Sequence, residues 1–130
     1  MDTITEKSAI EKLLSSYGDV INASDVSKTL AFYTQDGTLM PNGAPAAKGQ
    51  EQLKGAYESL FKAFQLNVEY ITDEVIVNGD YAFARTHSKG STLIHANGKT
   101  IPVDNKELFV LHKESAQWEI SHYIFNNNKM

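Results

Sequence analysis

The chain has 130 residues, 42% of them apolar and 22% charged, and a formal net charge of −4. That size and balance predict one domain, residues 1–130, with its own core; they exclude disorder and, with Arg85 the only arginine, leave no basic stripe for nucleic acid. Cysteine is absent, so disulfides, thiolate metal sites and cysteine nucleophiles are excluded, and without an apolar run of spanning length a cytoplasmic protein with no membrane partner is expected.

Thr3-Ile4-Thr5-Glu6 reads as a capping box opening a first helix, whose apolar face carries Ile10, Leu13, Leu14, Tyr17, Val20 and Ile21. Ser24-Asp25 caps a shorter second helix with Val26, Leu30 and Tyr33 inward. Asp36-Gly37 reads as a helix stop, Thr38-Leu39-Met40 as a short edge strand closed by Pro41, and Asn42-Gly43-Ala44-Pro45 as a loop. A helix feeding an edge strand and a small-residue loop builds one wall and the lip of a pocket. Gly49 opens a third helix with Leu53, Ala56, Tyr57, Leu60, Phe61 and Phe64 on one stripe. Gly55 inside it predicts close approach of another backbone.

From Leu66 the period changes to two. Strands are predicted over 66–77, 81–94, 100–111 and 118–125, joined by hairpins at Asn78-Gly79 and Asn97-Gly98 and a looser reversal over 113–117. Strands this long must curl, and the helices are the only filler for the concave side. The fold class is α+β, a cone-shaped curved antiparallel sheet wrapped around three N-terminal helices.

Parity places Ile101, Val103, Asn105, Glu107, Phe109 and Leu111 on one face, which makes Glu107 either a pocket carboxyl or a residue turned to solvent by a bulge. Arg85 and His87 share a face with Tyr81 and Phe83, and His122 shares one with Trp118 and Ile120. A two-residue turn at Asn97 would set Ser88 opposite Glu107; a three-residue turn would set His87 there, because a one-residue slip exchanges the faces. Leu108, Val110, Tyr123 and Phe125 take the opposite parity to the core, so a homodimer through the outer sheet face is expected. Four histidines without ligand spacing give no metal site, and no cofactor motif occurs.

The order helix, helix, edge strand, helix, meander, with FYTQDGTLMPNG and KGQEQL in its first half and QWEISHYIFNN at its end, resembles the nuclear transport factor two-like superfamily. Its SnoaL-like and ketosteroid-isomerase-like members are the nearest in pattern. The resemblance implies a cone around a pocket, commonly dimeric through the outer sheet face, and a family that holds isomerases, cyclases, dehydratases and non-enzymatic binding modules. The isomerase pattern pairs a tyrosine of the first helix with a protonated acid in the meander, and sets an Asp base before the edge-strand proline. Here Tyr17 and Glu107 match the first two, while Met40 stands before Pro41 and cannot take a proton.

Two functions follow as expectations. One is an enzyme acting on a small apolar carbonyl or cyclic compound, with Glu107, Tyr17 and His87 as catalytic candidates and Met40, Tyr57, Arg85, Trp118 and His122 as ligand-binding candidates. The other is a non-catalytic ligand-binding or dimerisation module in which the same polar residues orient a ligand or hold each other.

Overall fold

The structure is a computed structural model that describes residues 3–128; Met1, Asp2, Lys129 and Met130, the ends of the expected domain, lie outside the described residues. Helix α1 spans Thr3–Asn22 and α2 Val26–Leu30; β1 (Tyr33–Met40) and β2 (Ala47–Lys48) precede α3 (Gly49–Ala63). Four long strands follow: β3 (Phe64–Asn78), β4 (Tyr81–Ile94), β5 (Thr100–Glu114) and β6 (Gln117–Asn127). With β1 and β2 they form one six-stranded sheet in the order β2-β1-β6-β5-β4-β3, curved and unclosed.

The sheet is mixed, not wholly antiparallel: β1 runs parallel to β6 and antiparallel to β2, so β2 holds the edge. Asp36-Gly37 does not end a helix but falls within β1, where the register against β6 shifts between Tyr33 and Thr38. A side chain at Gly37 would press on the Tyr33 ring, which is why glycine stands there. Tyr33 thus belongs to β1 rather than to the second helix, where Asp25 caps by accepting from the Lys28 amide at 3.0 Å. The Thr3 side chain lies outside the described residues, and Glu6, its expected capping partner, accepts instead from Lys113 Nζ at 2.7 Å. At Gly55 nothing stands within 4 Å of an added Cβ, so no close approach explains it.

The long hairpins set the register that matters. Gly79, at φ 64°, and Asp80 turn β3 into β4, with Asn78 opposite Tyr81. Between β4 and β5 the Ile94 amide donates to the Lys99 carbonyl, which closes a four-residue turn over 95–98, and Glu107 comes to lie opposite Thr86. Ser88 shares the Glu107 face while His87, opposite Lys106, points away. In β6 a bulge at Ser121 shifts the pairing, Val110 meeting His122 and Leu111 meeting Ile120. Trp118 and Ile120 before it and Tyr123 after it are therefore all buried on one side, and His122 is exposed on the other. The expected sharing of a face between His122 and Trp118 fails for that reason, as does the outward placement of Tyr123 and Phe125.

The core forms where Ile10, Leu14, Tyr17 and Ile21 of α1 and Leu53 and Tyr57 of α3 meet Phe109, Leu111, Ile120 and Tyr123 of the sheet. Burying each such side chain favours folding by about 1.5–3 kcal/mol. Gly90 sits where β4 crosses Asn67 and Val68 of β3; at φ 148° a side chain there would collide with the Asn67 carbonyl oxygen, so this tight crossing requires glycine. Among the described residues no helix is long and apolar enough to cross a membrane.

Candidate functional site

Between the helices and the concave sheet lies a cavity of about 780 Å³, within the range of ordinary small-molecule sites. Leu39, Pro41 and Pro45 form one side, Ala56, Tyr57 and Leu60 of α3 another, and Leu66, Val68 and Tyr70 of β3 a third. The wall contributed by β4, β5 and β6 is graded by depth. In the register, Ala84, Phe109 and Tyr123 form an apolar row, Thr86, Glu107 and Phe125 the next, and Ser88, Asn105 and Asn127 a polar row; of these Tyr123, Phe125, Ser88, Asn105 and Asn127 line the cavity, while Ala84, Phe109, Thr86 and Glu107 lie buried behind the lining.

Tyr17 is the hub of the floor. Its ring makes edge or tilted contacts with Phe32, Tyr33, Tyr70, Phe109 and Tyr123 at centroid distances of 5.7–6.4 Å. Its hydroxyl lies 2.5 Å from that of Tyr57, which lies 2.6 Å from that of Tyr33. A second pair, Tyr70 and Tyr123, joins hydroxyls at 2.9 Å. Burial pushes all five phenols up from their ordinary range, so they are neutral donors and acceptors and not bases.

Glu107, 4% exposed, lies on the inner sheet face with two hydroxyls as its hydrogen-bond partners. Thr86 Oγ1 stands 2.5 Å from Oε1 and Ser88 Oγ 2.5 Å from Oε2. Desolvation raises its pKa above the usual carboxylate range, and the two hydroxyl bonds oppose that rise in part.

The structure brings Tyr17 and Tyr57 together, holds Glu107 apart from them on the inner sheet face with Thr86 and Ser88, and sends the other candidates elsewhere. His87 Nδ1 lies 2.7 Å from Asp73 Oδ2 on the outer face, and Arg85 Nε donates to Glu74 at 3.2 Å there; the four-residue loop decides this. Met40 pairs with Ile124 on the outer side while Leu39, one residue earlier, lines the cavity. His122 is exposed on the outer side, and Trp118 is buried away from the cavity with Lys113 Nζ 5.7 Å from its ring centroid. Sequence reasoning did not name Tyr33, Tyr70, Tyr123 or Thr86 as site residues, and it set Ser88 beside Glu107 only for a two-residue turn. Tyr70 shares period-two parity with Leu66 and Val68, a signal that was available; Tyr123 was hidden by the bulge. Among the described residues no group of three His, Asp or Glu could hold a metal ion.

A small α+β cone enclosing a tyrosine-floored cavity defines the class. The chain belongs to the SnoaL-like domain family, which matches residues 14–121. It is similar to a ketosteroid isomerase-like protein from Erwinia carotovora atroseptica, at 31% identity over 95% of this chain and 96% of that one, with a TM-score of 0.89. Two proteins from Novosphingobium aromaticivorans are similar in fold alone. One, provisionally named an aromatic ring hydroxylase, is 16% identical over 100% and 94% of the two chains with a TM-score of 0.86; the other, provisionally named a scytalone dehydratase, is 14% identical over 97% and 86% with a TM-score of 0.83. A comparison with curated proteins returns no match.

Proposed function

We propose that this protein binds a small, largely apolar ring compound carrying a hydrogen-bond-accepting oxygen, such as a carbonyl, and polarises that oxygen by donation from Tyr17. The observation that carries the reading is the hydroxyl chain of Tyr33, Tyr57 and Tyr17. Besides the two short bonds of Tyr57, the Tyr17 and Tyr33 hydroxyls also bear on one another, so the three phenols form one mutually bonded cluster. Tyr33 is buried and off the cavity, whereas Tyr17 and Tyr57 line it. A ligand oxygen entering the cavity therefore meets Tyr17, whose proton can turn from Tyr33 to the ligand while Tyr33 donates to Tyr57 and Tyr57 to Tyr17. Aligned donors of this kind strengthen one another.

No histidine lines the cavity among the described residues, and Asp104, exposed at the mouth, is its only lining carboxylate. That favours binding over proton abstraction. Acid catalysis on the same carbonyl is a second reading, favoured by the buried, pKa-raised carboxyl of Glu107. The names of the two Novosphingobium proteins, which refer to aromatic-ring and scytalone chemistry, agree with a ring-sized ligand.

The test compares α-tetralone with tetralin, which lacks the oxygen. Wild type is expected to bind the ketone more tightly, and Tyr17→Phe to remove about tenfold of that preference, the worth of a hydrogen bond of about 1.4 kcal/mol. Equal binding of the two by wild type would rule the reading out.

The proposal includes a homodimer through the outer sheet face. Its support is the adjoining apolar set Phe83, Leu108, Val110 and Ile124, which the strand register places side by side, with Leu108 40% and Ile124 39% exposed.

A further inference from the structure

Glu107 does not itself line the cavity; Ser88, on the neighbouring strand, does. Thr86 and Ser88 engage one carboxyl oxygen each, and Thr86 is sealed from the cavity, so the Ser88 hydroxyl is the connection between the carboxyl and the space a ligand would fill. Asn105 and Asn127, in register with Ser88, extend the same polar row.

We propose that Ser88 is the ligand-contacting end of a Glu107–Ser88 relay, presenting a donor to the ligand when the carboxyl is protonated and an acceptor when it is ionised. This deepens the oxygen-bearing-ligand reading and rests on it. With Glu107 protonated, its O–H donates to Ser88 Oγ, Thr86 donates to the other carboxyl oxygen, and the Ser88 proton turns to the cavity. With Glu107 ionised, both hydroxyls donate to the carboxylate and Ser88 shows the ligand only lone pairs. Should a ligand oxygen take the Ser88 proton, Ser88 takes the carboxyl proton in its place. Glu107 then ends as carboxylate, the ligand gains one proton and Ser88 is unchanged.

The groups that bear on this carboxyl come from each packed element. Tyr70 of β3 and Tyr123 of β6 lie near it inside the cone and are neutral, and Tyr17 of α1 packs on both their rings. From the outer face His87 lowers its pKa and Asp73 raises it, each less than burial does. The relay therefore switches above the ordinary carboxylate range.

The experiment measures binding of α-tetralone, an acceptor, and β-naphthol, a donor, while pH is raised through the titration of Glu107 as followed by its carboxyl carbon resonance. In wild type and S88T the ratio of ketone to naphthol affinity is expected to fall about tenfold, the effect of exchanging one hydrogen bond. In S88A and E107Q it should stay flat. A ratio that falls in S88A as it does in wild type would overturn the relay. A second arm needs no ligand, because the chain has no cysteine of its own. The S88C thiol should react with iodoacetamide, and its thiolate should form at lower pH once E107Q removes the neighbouring negative charge. An S88C thiol that stays inert while P45C at the cavity lip reacts would overturn the proposal as well. If wild type binds neither probe but the S88C thiol reacts with a Glu107-dependent pH profile, the oxygen-bearing-ligand reading falls, and with it the ligand contact of Ser88, while the coupling of Ser88 to Glu107 stands.

Discussion

Strands β4, β5 and β6 carry two chemistries on their two faces. Inside, the Glu107 carboxyl meets two hydroxyls, tyrosines satisfy one another in pairs and chains, and Lys113 pairs with Glu6 toward one end. Outside, one residue away along the same strands, Arg85 meets Glu74 and His87 meets Asp73 as charged or chargeable partners in solvent. The difference teaches that water, and not residue type, decides what a charge is worth here. Taken out of water, Glu107 has its pKa raised by desolvation; the exposed Arg85 pair gains little beyond what water already supplies.

Phe109→Ala gives the largest expected break in that comparison. Phe109 is fully buried and stacked on Tyr123 at a 4.1 Å centroid distance, so its loss should cost about 3–5 kcal/mol, read as a lower urea midpoint, and loosen the floor beneath Tyr17. A cost below about 1 kcal/mol would mean the inner face is not the core described.

Next in size is Glu107→Gln, read as stability against pH. Because the folded pKa is raised, the carboxyl's contribution is fully present below the unfolded value of about 4.3 and is lost as pH climbs through the folded one. Wild type should therefore lose stability over that window and the variant should not, leaving Glu107→Gln as stable as wild type or more so at neutral pH. Arg85 is engaged by Glu74 outside, so no buried guanidinium is orphaned by the change. Strong destabilisation by Glu107→Gln at neutral pH would show that the carboxyl is ionised and held by a cation after all.

The smallest effect on the fold is expected from Leu108→Lys on the outer face, within about 0.5 kcal/mol for the folded chain. Its readout is association: sedimentation should show the dimer of the wild type replaced by monomer. A monomeric wild type at micromolar concentration would remove the dimer from the proposal.

Much of this architecture was legible along the chain because periodicity and turn chemistry are local. The α1 stripe with Tyr17, the α3 stripe with Tyr57, the four long strands and the inward parity of Glu107 each depend on neighbours a few residues away. Glycine at 79 and 98 marked both hairpins, with positive φ at each. The turn at Asn97, however, read as closing over two residues or three, closes over four, and only the pairing of whole strands chose that. That choice set Thr86 and Ser88 on the carboxyl and turned Arg85 and His87 to solvent. The bulge at Ser121 likewise exchanged the faces of everything after it, bringing Tyr123 in and sending Ile124 out. Tyr33 met Tyr57 because β1 lies parallel to β6, a pairing between segments far apart in sequence. Sequence by itself determined the three helices, the four long strands and which residues alternate with which, but not β2 or the extent of β1; the tertiary structure alone decided which alternate set faced the cavity. The physical reason is that a strand's period is two, so a single residue of slip or bulge, invisible to local propensity, reverses every side chain beyond it.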